Sequence, residues 1–575
     1  MTVRSSLPPR PWFPPVLRWG LVGIAAIGLS LWTTGVFQQE VLNPRGLPQL
    51  ARFFAAALQP DFSADFLYLT WTATQITLAY AVCGTTLSIG FGLIGGLLCC
   101  EIWWLAWFPH HAFPRNLRTL LRAGLAVPRA IHELIWGLFF VNIFGLDPLV
   151  GILAIAVPYS AIVAKVFSDL LDETPRQPLI TLLNSGVAPP IAFLYTLLPQ
   201  AFLNLLSYSF YRFECSIRSA AVLGIIGAGG LGYQILLSLQ SLRYEQLWTL
   251  FLALFLLTGS VDLTSALLRQ RLGSPSRLDL NWRRQAVSQS PTPPFSNQQV
   301  SQFWWQHRPT IAILMSLWFI PFCFWTVQAD FSKLWSRRTL TLLQDIGQSV
   351  WPPIVSPDQF GLLLKLSGQT IAMSILAIAL AGLGGIVLSF PAAHNFLLPG
   401  SFLSHSRQHW FHRSLAWVGY VATRSLLLIA RAIPAPIWAL VVLFVVFPGT
   451  LPGAIALGLH NMGILGRLMA EVNENLNQRP LVALKSQGAP ASLVFLYGVL
   501  PLTLTRFLAY ILYRWEVCTR ETVIVGLVGA GGLGRLLTEQ LSSFAYQQVL
   551  VTLGCFVLLT FAVDWVSGAA RRSLR

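Results

Sequence analysis

The sequence predicts an all-α membrane protein of about twelve transmembrane helices, arranged as two parallel six-helix repeats. Three observations carry this. Of 575 residues, 55% are apolar and 10% charged, and the mean hydropathy is +0.63, a balance that excludes an ordinary soluble enzyme. About a dozen stretches approach the ~20 apolar residues that a spanning helix needs. The second half also realigns on the first at one constant shift, 302 residues, set by Gly227 and Gly529.

Spans are expected at about 18–37, 68–99, 123–145, 149–167, 193–212 and 246–268, then at about 309–328, 361–391, 424–447, 451–469, 494–513 and 548–570. The first follows Arg4, Arg10 and Arg18 without a small-residue cleavage site, so it reads as a retained helix rather than a signal peptide. Cytoplasmic loops collect Lys and Arg. With the N-terminus inside, Arg115, Arg118 and Arg122, the linker bearing Arg271, Arg277, Arg283 and Arg284, and the tail Arg571, Arg572 and Arg575 all fall on the cytoplasmic side. The net charge of +16 is therefore read as topology, not nucleic-acid binding, and both termini as cytoplasmic. Lys333, Arg337 and Arg338 break the pattern by falling outside. The domains expected are a first repeat over 1–271, a basic Ser/Pro/Gln linker over 272–308, and a second repeat over 309–575.

The repeat is detailed. Arg122 meets Arg424, RAIHELIW at Arg129 meets RAIPAPIW at Arg431, and Gly151 meets Gly453. FLYTLLP ending at Pro199 meets FLYGVLP ending at Pro501, YRFE at Tyr211 meets YRWE at Tyr513, and Asp262 meets Asp564. Such self-similarity is a tandem duplication. An even number of spans per copy gives both copies the same orientation.

GAGGLG occurs in each copy, with glycines at 227, 229, 230 and 232 and again at 529, 531, 532 and 534. Each fits the dinucleotide fingerprint G-x-G-x-x-G, but neither lies in a βαβ setting, and no acid stands about 20 residues on. Both come after the fifth span of their copy. Gly227, Gly229, Gly230 and Gly232, with Gly529, Gly531, Gly532 and Gly534, read either as an outer gate beside a pathway or as a tight packing turn.

Between the fourth and fifth spans stand DETPRQPLITLLNSGVAPPIAFLYTLLP from Asp172 and ENLNQRPLVALKSQGAPASLVFLYGVLP from Glu474. Pro178 and Pro480 suit a helix start, Gly186 and Gly488 suit a left-handed helix end, and Pro199 and Pro501 come next in Leu-Pro pairs. This resembles the E-A-A loop of ABC importer permeases, a short coupling helix that docks on an ATPase. The family's glutamate, six positions before the glycine, is Ile180 in one copy and Val482 in the other. R-x-I-x-E-L, Y-R-F-E with a following arginine, and G-x-x-G-A-G-G-x-G occur in order. That combination is similar to phosphonate-type (PhnE-like) permeases, here two copies fused, the second carrying Ala435 in place of Glu133.

The resemblance implies a type I (MetI-like) importer permease of a bacterial-type inner membrane, moving a phosphonate, phosphite or phosphate by alternating access. It implies ABC ATPase partners, two in number, which carry the ATP and Mg, and an extracytoplasmic binding protein. No cofactor, nucleic acid or catalytic residue is expected on this chain. Its lysines, Lys165, Lys333, Lys365 and Lys485, form no phosphate-binding loop. Arg212, Glu214 and Arg218 with Arg514, Glu516 and Arg520 are costly near hydrocarbon and read either as i, i+4 ion pairs or as substrate contacts. Arg129 and Arg431, near the inner end of the third span, either snorkel or meet the departing anion. The seven cysteines form no C-x-x-C, and neither they nor His110, His111, His405, His409 and His412 suggest a metal site. A fused permease for ferric iron or thiamine, a twelve-span secondary transporter and a non-transporting scaffold are the alternatives.

Overall fold

The computed structural model describes residues 15–37, 41–107, 113–271, 308–350, 357–398, 410–477 and 479–574. Most of the linker, along with His110, His111, His405 and His409, lies outside them. Among the described residues the chain is helical, with one isolated bridge, Leu42 to Val446, and no strand.

The first repeat runs α1 (Pro15–Thr33), α2 (Leu47–Ala55), α3 (Ala64–Cys99), α4 (Glu101–Trp107), α5 (Phe113–Ala130), α6 (Glu133–Phe144), α7 (Pro148–Asp172), α8 (Gln177–Asn184), α9 (Pro189–Leu223), α10 (Gly230–Gln240) and α11 (Tyr244–Arg271). The second runs α12 (Arg308–Val327), α13 (Arg337–Val350), α14 (Pro357–Ser389), α15 (His394–Leu397), α16 (Trp410–Ala432), α17 (Ala435–Val442), α18 (Thr450–Glu474) and α19 (Arg479–Ser486). It ends with α20 (Ala491–Val494), α21 (Leu500–Leu527), α22 (Gly532–Ser542) and α23 (Tyr546–Leu574). Eight described helices are long and apolar enough to cross a membrane, and a bent pair makes a ninth span. The shorter apolar helices Arg18–Thr33 and Trp318–Val327 occupy the expected first spans. The more polar α18, with His460 and Asn461 buried, occupies the tenth.

The expected domain boundaries do not coincide with the compact units. One unit joins Met1–Phe54 to Ser349–Arg575, and the other is Ala55–Gln348. The cause is an exchange of first helices. α1 packs on α14 and α23, with Ile27 and Leu31 against a core that includes Met373, Ala435 and Leu457. α12 packs on α3. The chain just after each exchanged helix is fixed within the same unit. Val41 and Asn43 make main-chain hydrogen bonds to Phe447 and Val445, and Gly46 lies where a Cβ would stand 1.5 Å from the Phe444 carbonyl oxygen. In the other unit the Lys333 ammonium pairs with Asp147, the N-cap of α7.

Within each unit the most extensive packing is between the second and fourth spans, α3 on α7 and α14 on α18. Small residues let the axes approach, as small-residue stripes do in membrane bundles. Added Cβ atoms at Gly84, Gly92 and Gly96 would meet Ile155, Val163 and Phe167 at 2.8, 2.5 and 2.9 Å.

Two expected spans are corrected. The third is not continuous: Asn116–Ala130 and Glu133–Phe144 meet at 84°. His132 leaves the helical region at φ −69, ψ 147, and its ring accepts the Leu134 N–H at 3.2 Å, capping α6. In the second repeat Pro434 takes the same place at φ −59, ψ 147, since proline cannot donate to the preceding turn and disfavours helix in the residue before it. The fifth span does not stop at 212. α9 continues to Leu223, because the charges in its second half are packed inside the unit rather than marking an end.

Candidate functional site

The two expected loop helices form. Pro178 sits in the first turn of α8, and Gly186 comes after the helix at φ +82. The Val187 N–H reaches back to the Leu182 carbonyl (3.1 Å) and the Gly186 N–H to that of Leu183 (3.0 Å), the closure a left-handed glycine permits. α19 repeats this with Pro480, Gly488 at φ +81, and Ala489 N–H to Leu484 at 3.2 Å. Neither glycine has an atom within 4 Å of a built Cβ, so backbone conformation and not space demands it. Leu179 and Leu481 are buried anchors: the first packs with Phe193 and Leu197, the second with Val494 and Val499. Ile180 (50% exposed) and Val482 (57%) face outward where the resembled family has glutamate.

The copies differ behind these helices. Pro199 lies inside the continuous α9, whereas a π-turn, Phe495–Val499, precedes Pro501. Its Gly498 approaches Leu481 so closely that a Cβ would stand 2.6 Å from that side chain. Beside it Pro480, Ala483, Leu484, Gln487 and Tyr497 line an open groove of about 370 Å³.

At the base of each loop helix is an ion-pair junction that sequence reasoning missed. Arg122 Nη2 lies 3.3 Å from Asp172 Oδ2, its Nε donates to the Cys99 carbonyl (3.1 Å), and Asp172 Oδ1 accepts the N–H groups of Glu101 (2.8 Å) and Ile102 (3.1 Å). In the second copy Arg424 pairs with Glu474 and donates from Nε to Ala392 (3.0 Å), while Glu474 accepts the His394 N–H (3.1 Å). Nearby, Arg118 bonds Glu101 at 2.7 Å and holds its carboxyl below the usual carboxylate range. The available signal was that both members of each pair align at the repeat's shift.

The charged residues of the fifth spans stand in the second halves of α9 and α21. Arg212 (7% exposed) lays its guanidinium over the Tyr159 ring at 3.6 Å. Tyr159 OH lies 2.6 Å from Ser219 Oγ, which donates to Glu133 Oε1 at 2.6 Å. Among the described residues Nε and one terminal nitrogen of Arg212 have no hydrogen-bond partner. The second copy is wired differently at the matching positions. Arg514 donates to Asn461 and pairs with Glu521 at 2.6 Å, and Asn461 donates to Glu521 at 3.0 Å. The carboxylate missing at Ala435 has reappeared at the position of Ser219, so each copy keeps one acid in this cluster on different helices. Glu516 pairs with Arg571 at 2.6 Å. The Arg520 Nε donates to the Glu516 carbonyl at 3.3 Å, and Arg218 contacts Cys215 Sγ at 3.5 Å. Glu214 is buried. Arg129 and Arg431 are half-buried in the last turns of α5 and α16, at the break of the third span.

The glycine loops have the geometry of packed turns. Gly227, Gly229 and Gly230, and likewise Gly529, Gly531 and Gly532, have positive φ. Gly232 and Gly534 let α10 and α22 close on the preceding helix: a Cβ at Gly232 would stand 1.8 Å from the Ala221 carbonyl oxygen. Thr77 Oγ1 accepts the Leu231 N–H (2.8 Å) and Thr370 Oγ1 that of Leu533 (3.0 Å), tying each loop to its second span. No cluster able to hold a metal occurs among the described residues.

Two stretches, residues 103–274 and 412–575, match the family described as "Binding-protein-dependent transport system inner membrane component". The phosphate-import permease protein PhnE of Mycolicibacterium smegmatis is 26% identical over 499 residues, 87% of this chain and 84% of that protein. The phosphite transport system permease protein PtxC of Stutzerimonas stutzeri is 30% identical over 243 residues, 42% of this chain and 84% of that protein. The putative cryptic phosphonate permease PhnE2 of Escherichia coli is 33% identical over 118 residues, 20% of this chain and 97% of that protein.

Proposed function

Since this chain belongs to the binding-protein-dependent transport system inner membrane components, with the permease region present twice, we propose that it is the fused permease of an ATP-driven importer for a phosphorus oxyanion. Phosphate, phosphite and phosphonates are the class. The observation that carries the reading is the pair of loop helices, α8 and α19, each begun by a proline, anchored by one leucine and ended by a left-handed glycine. Their outward faces, with Ile180 and Val482, are the surfaces we assign to two separate ATPase subunits, which hold the ATP and Mg. A binding protein delivers the anion on the opposite side. The termini and the loop helices are then cytoplasmic, in keeping with where the arginines fall.

For the anion inside the membrane we assign Arg212. A buried guanidinium that reaches its cluster's acid, Glu133, only through Tyr159 and Ser219 is costly, and its planar fork suits phosphate-like oxygens. Arg514, bonded to Asn461 and Glu521, is already neutralised. Arg129 and Arg431, at the break of each third span, are assigned to the inward release of the anion.

The test is ATPase activity of the chain co-expressed with its ATPase and binding protein in lipid nanodiscs, with 2-aminoethylphosphonate, phosphite or phosphate. Stimulation by one of these supports the reading. Stimulation only by ferric iron or thiamine replaces the cargo class, and an ATPase that never associates removes the importer reading in favour of a secondary transporter.

A further inference from the structure

We propose that the Arg122–Asp172 and Arg424–Glu474 pairs are positioning joints that carry the movement of each coupling helix into the membrane spans. The inference rests on the reading of α8 and α19 as ATPase-docking helices. A docking helix does work on the spans only if the helix leading into it is fixed to its neighbours at that end. Asp172 and Glu474 are the last residues of α7 and α18, and α8 and α19 begin at Gln177 and Arg479.

Each carboxylate ties two elements to its own, and its arginine adds the chain at the end of the second span. The carboxylate receives the arginine of α5 or α16, and it caps the short helix next in the chain after the second span, through Glu101 and Ile102 or through His394. The arginine uses its Nε on Cys99, the last residue of α3, or on Ala392, in the turn that follows the end of α14. Charge-assisted bonds are directional, and the two carboxylates are largely shielded, with the side chains of Asp172 and Glu474 17% and 15% exposed, while those of Arg122 and Arg424 are 39% and 30% exposed. A pull on α8 therefore reaches α3, α5 and α7 together, and a pull on α19 reaches α16, α18 and the turn that follows α14.

The two copies support this independently. The acid is Asp in one and Glu in the other, and the capped helices, Glu101–Trp107 and His394–Leu397, share neither sequence nor length. The four-element tie is nevertheless the same.

The experiment uses the full chain reconstituted with its ATPase and binding protein, measuring ATPase co-purification, ATP hydrolysis and radiolabelled anion uptake. Asp172→Asn and Glu474→Gln, singly and together, are expected to keep the ATPase bound and hydrolysing within about twofold of the parent. Anion moved per ATP should fall about tenfold in the double variant. Asp172→Glu, which copies the other repeat, should retain coupling. If Asp172→Asn does not fold, Arg122→Lys carries the test, because a lysine lacks the fork that reaches Cys99 and Asp172 at once. An unchanged uptake-to-ATP ratio overturns the inference, and so does parallel loss of uptake and ATPase binding, which would make the pairs supports of the docking surface only. A parent chain that binds no ATPase overturns this inference and the importer reading together, a result readable before any variant is made.

Discussion

At the scale of single residues, glycines of one type do different jobs, and substitution separates them. Gly186 and Gly488 sit at positive φ in open space, so alanine there meets only the backbone penalty of a left-handed L-residue, about 1 kcal/mol. Gly186→Ala and Gly488→Ala should fold normally, with weakened ATPase association read by co-purification. Gly232→Ala and Gly534→Ala would instead push Cβ into main chain at 1.8 and 2.6 Å. They should sharply reduce folded yield in detergent chromatography, whereas a loop acting only as a gate would fold and leak. The arginines divide in the same way. Glu521→Gln leaves Arg514, 14% exposed, beside a neutral partner and should destabilise the protein by up to about 3 kcal/mol, seen as a lower melting temperature. Arg212→Gln removes a guanidinium that lacks bonds at two nitrogens. It should leave the melting temperature unchanged or higher while weakening anion-stimulated transport about tenfold or more.

At the scale of elements, the sequence was informative wherever a local rule decides structure, and silent wherever a distant partner does. α8 and α19 were legible because proline and left-handed glycine are local signals. The break of the third span was not read from hydropathy, which counts apolar residues and does not see direction, although Pro434 stood in the sequence as a marker. Asp172 and Glu474 open the two loop segments, but their partners Arg122 and Arg424 are far along the chain, and only folding brings them together. The π-turn before Pro501 was equally hidden, since Gly498 answers Thr196 without altering the hydropathy. Gly498→Thr, which copies the first repeat, should press on Leu481 and cost about 1–3 kcal/mol by overpacking, with lower ATPase affinity at α19 as the readout. The α4–α5 contact offers a pH test. Because Arg118 depresses the folded pKa of Glu101, its stabilisation is complete above the unfolded carboxylate value of about 4.3 and is lost as pH falls through the lower folded value. With Glu101 half-exposed, the effect should stay under about 1 kcal/mol. The acid limb of the melting curve in Glu101→Gln should therefore shift only slightly.

At the scale of the whole molecule, duplication and compactness obey different boundaries. The repeat was visible in the sequence because aligned residues keep one shift from about 122 to 271. The exchange of α1 and α12 was not, since both are apolar helices outside that aligned stretch and nothing in their composition names the helix they pack on. Yet it determines how the fused chain assembles. α1 is made first but supplies Ile27 and Leu31 to a core whose other residues lie at Met373 and beyond, and α3 receives its outer neighbour from α12. A half expressed alone thus leaves apolar helix faces without their native cover. Residues 1–271 and 309–575 expressed separately should each give little monodisperse protein, and co-expression of the two should restore a complex that melts like the intact chain. A circularly ordered alternative, with α1 moved to precede α14 and α12 moved to precede α3, should let each half be purified by itself. If the unaltered halves are instead stable and monodisperse alone, the exchanged helices contribute little to either core, and the duplication, not the exchange, sets the folding unit.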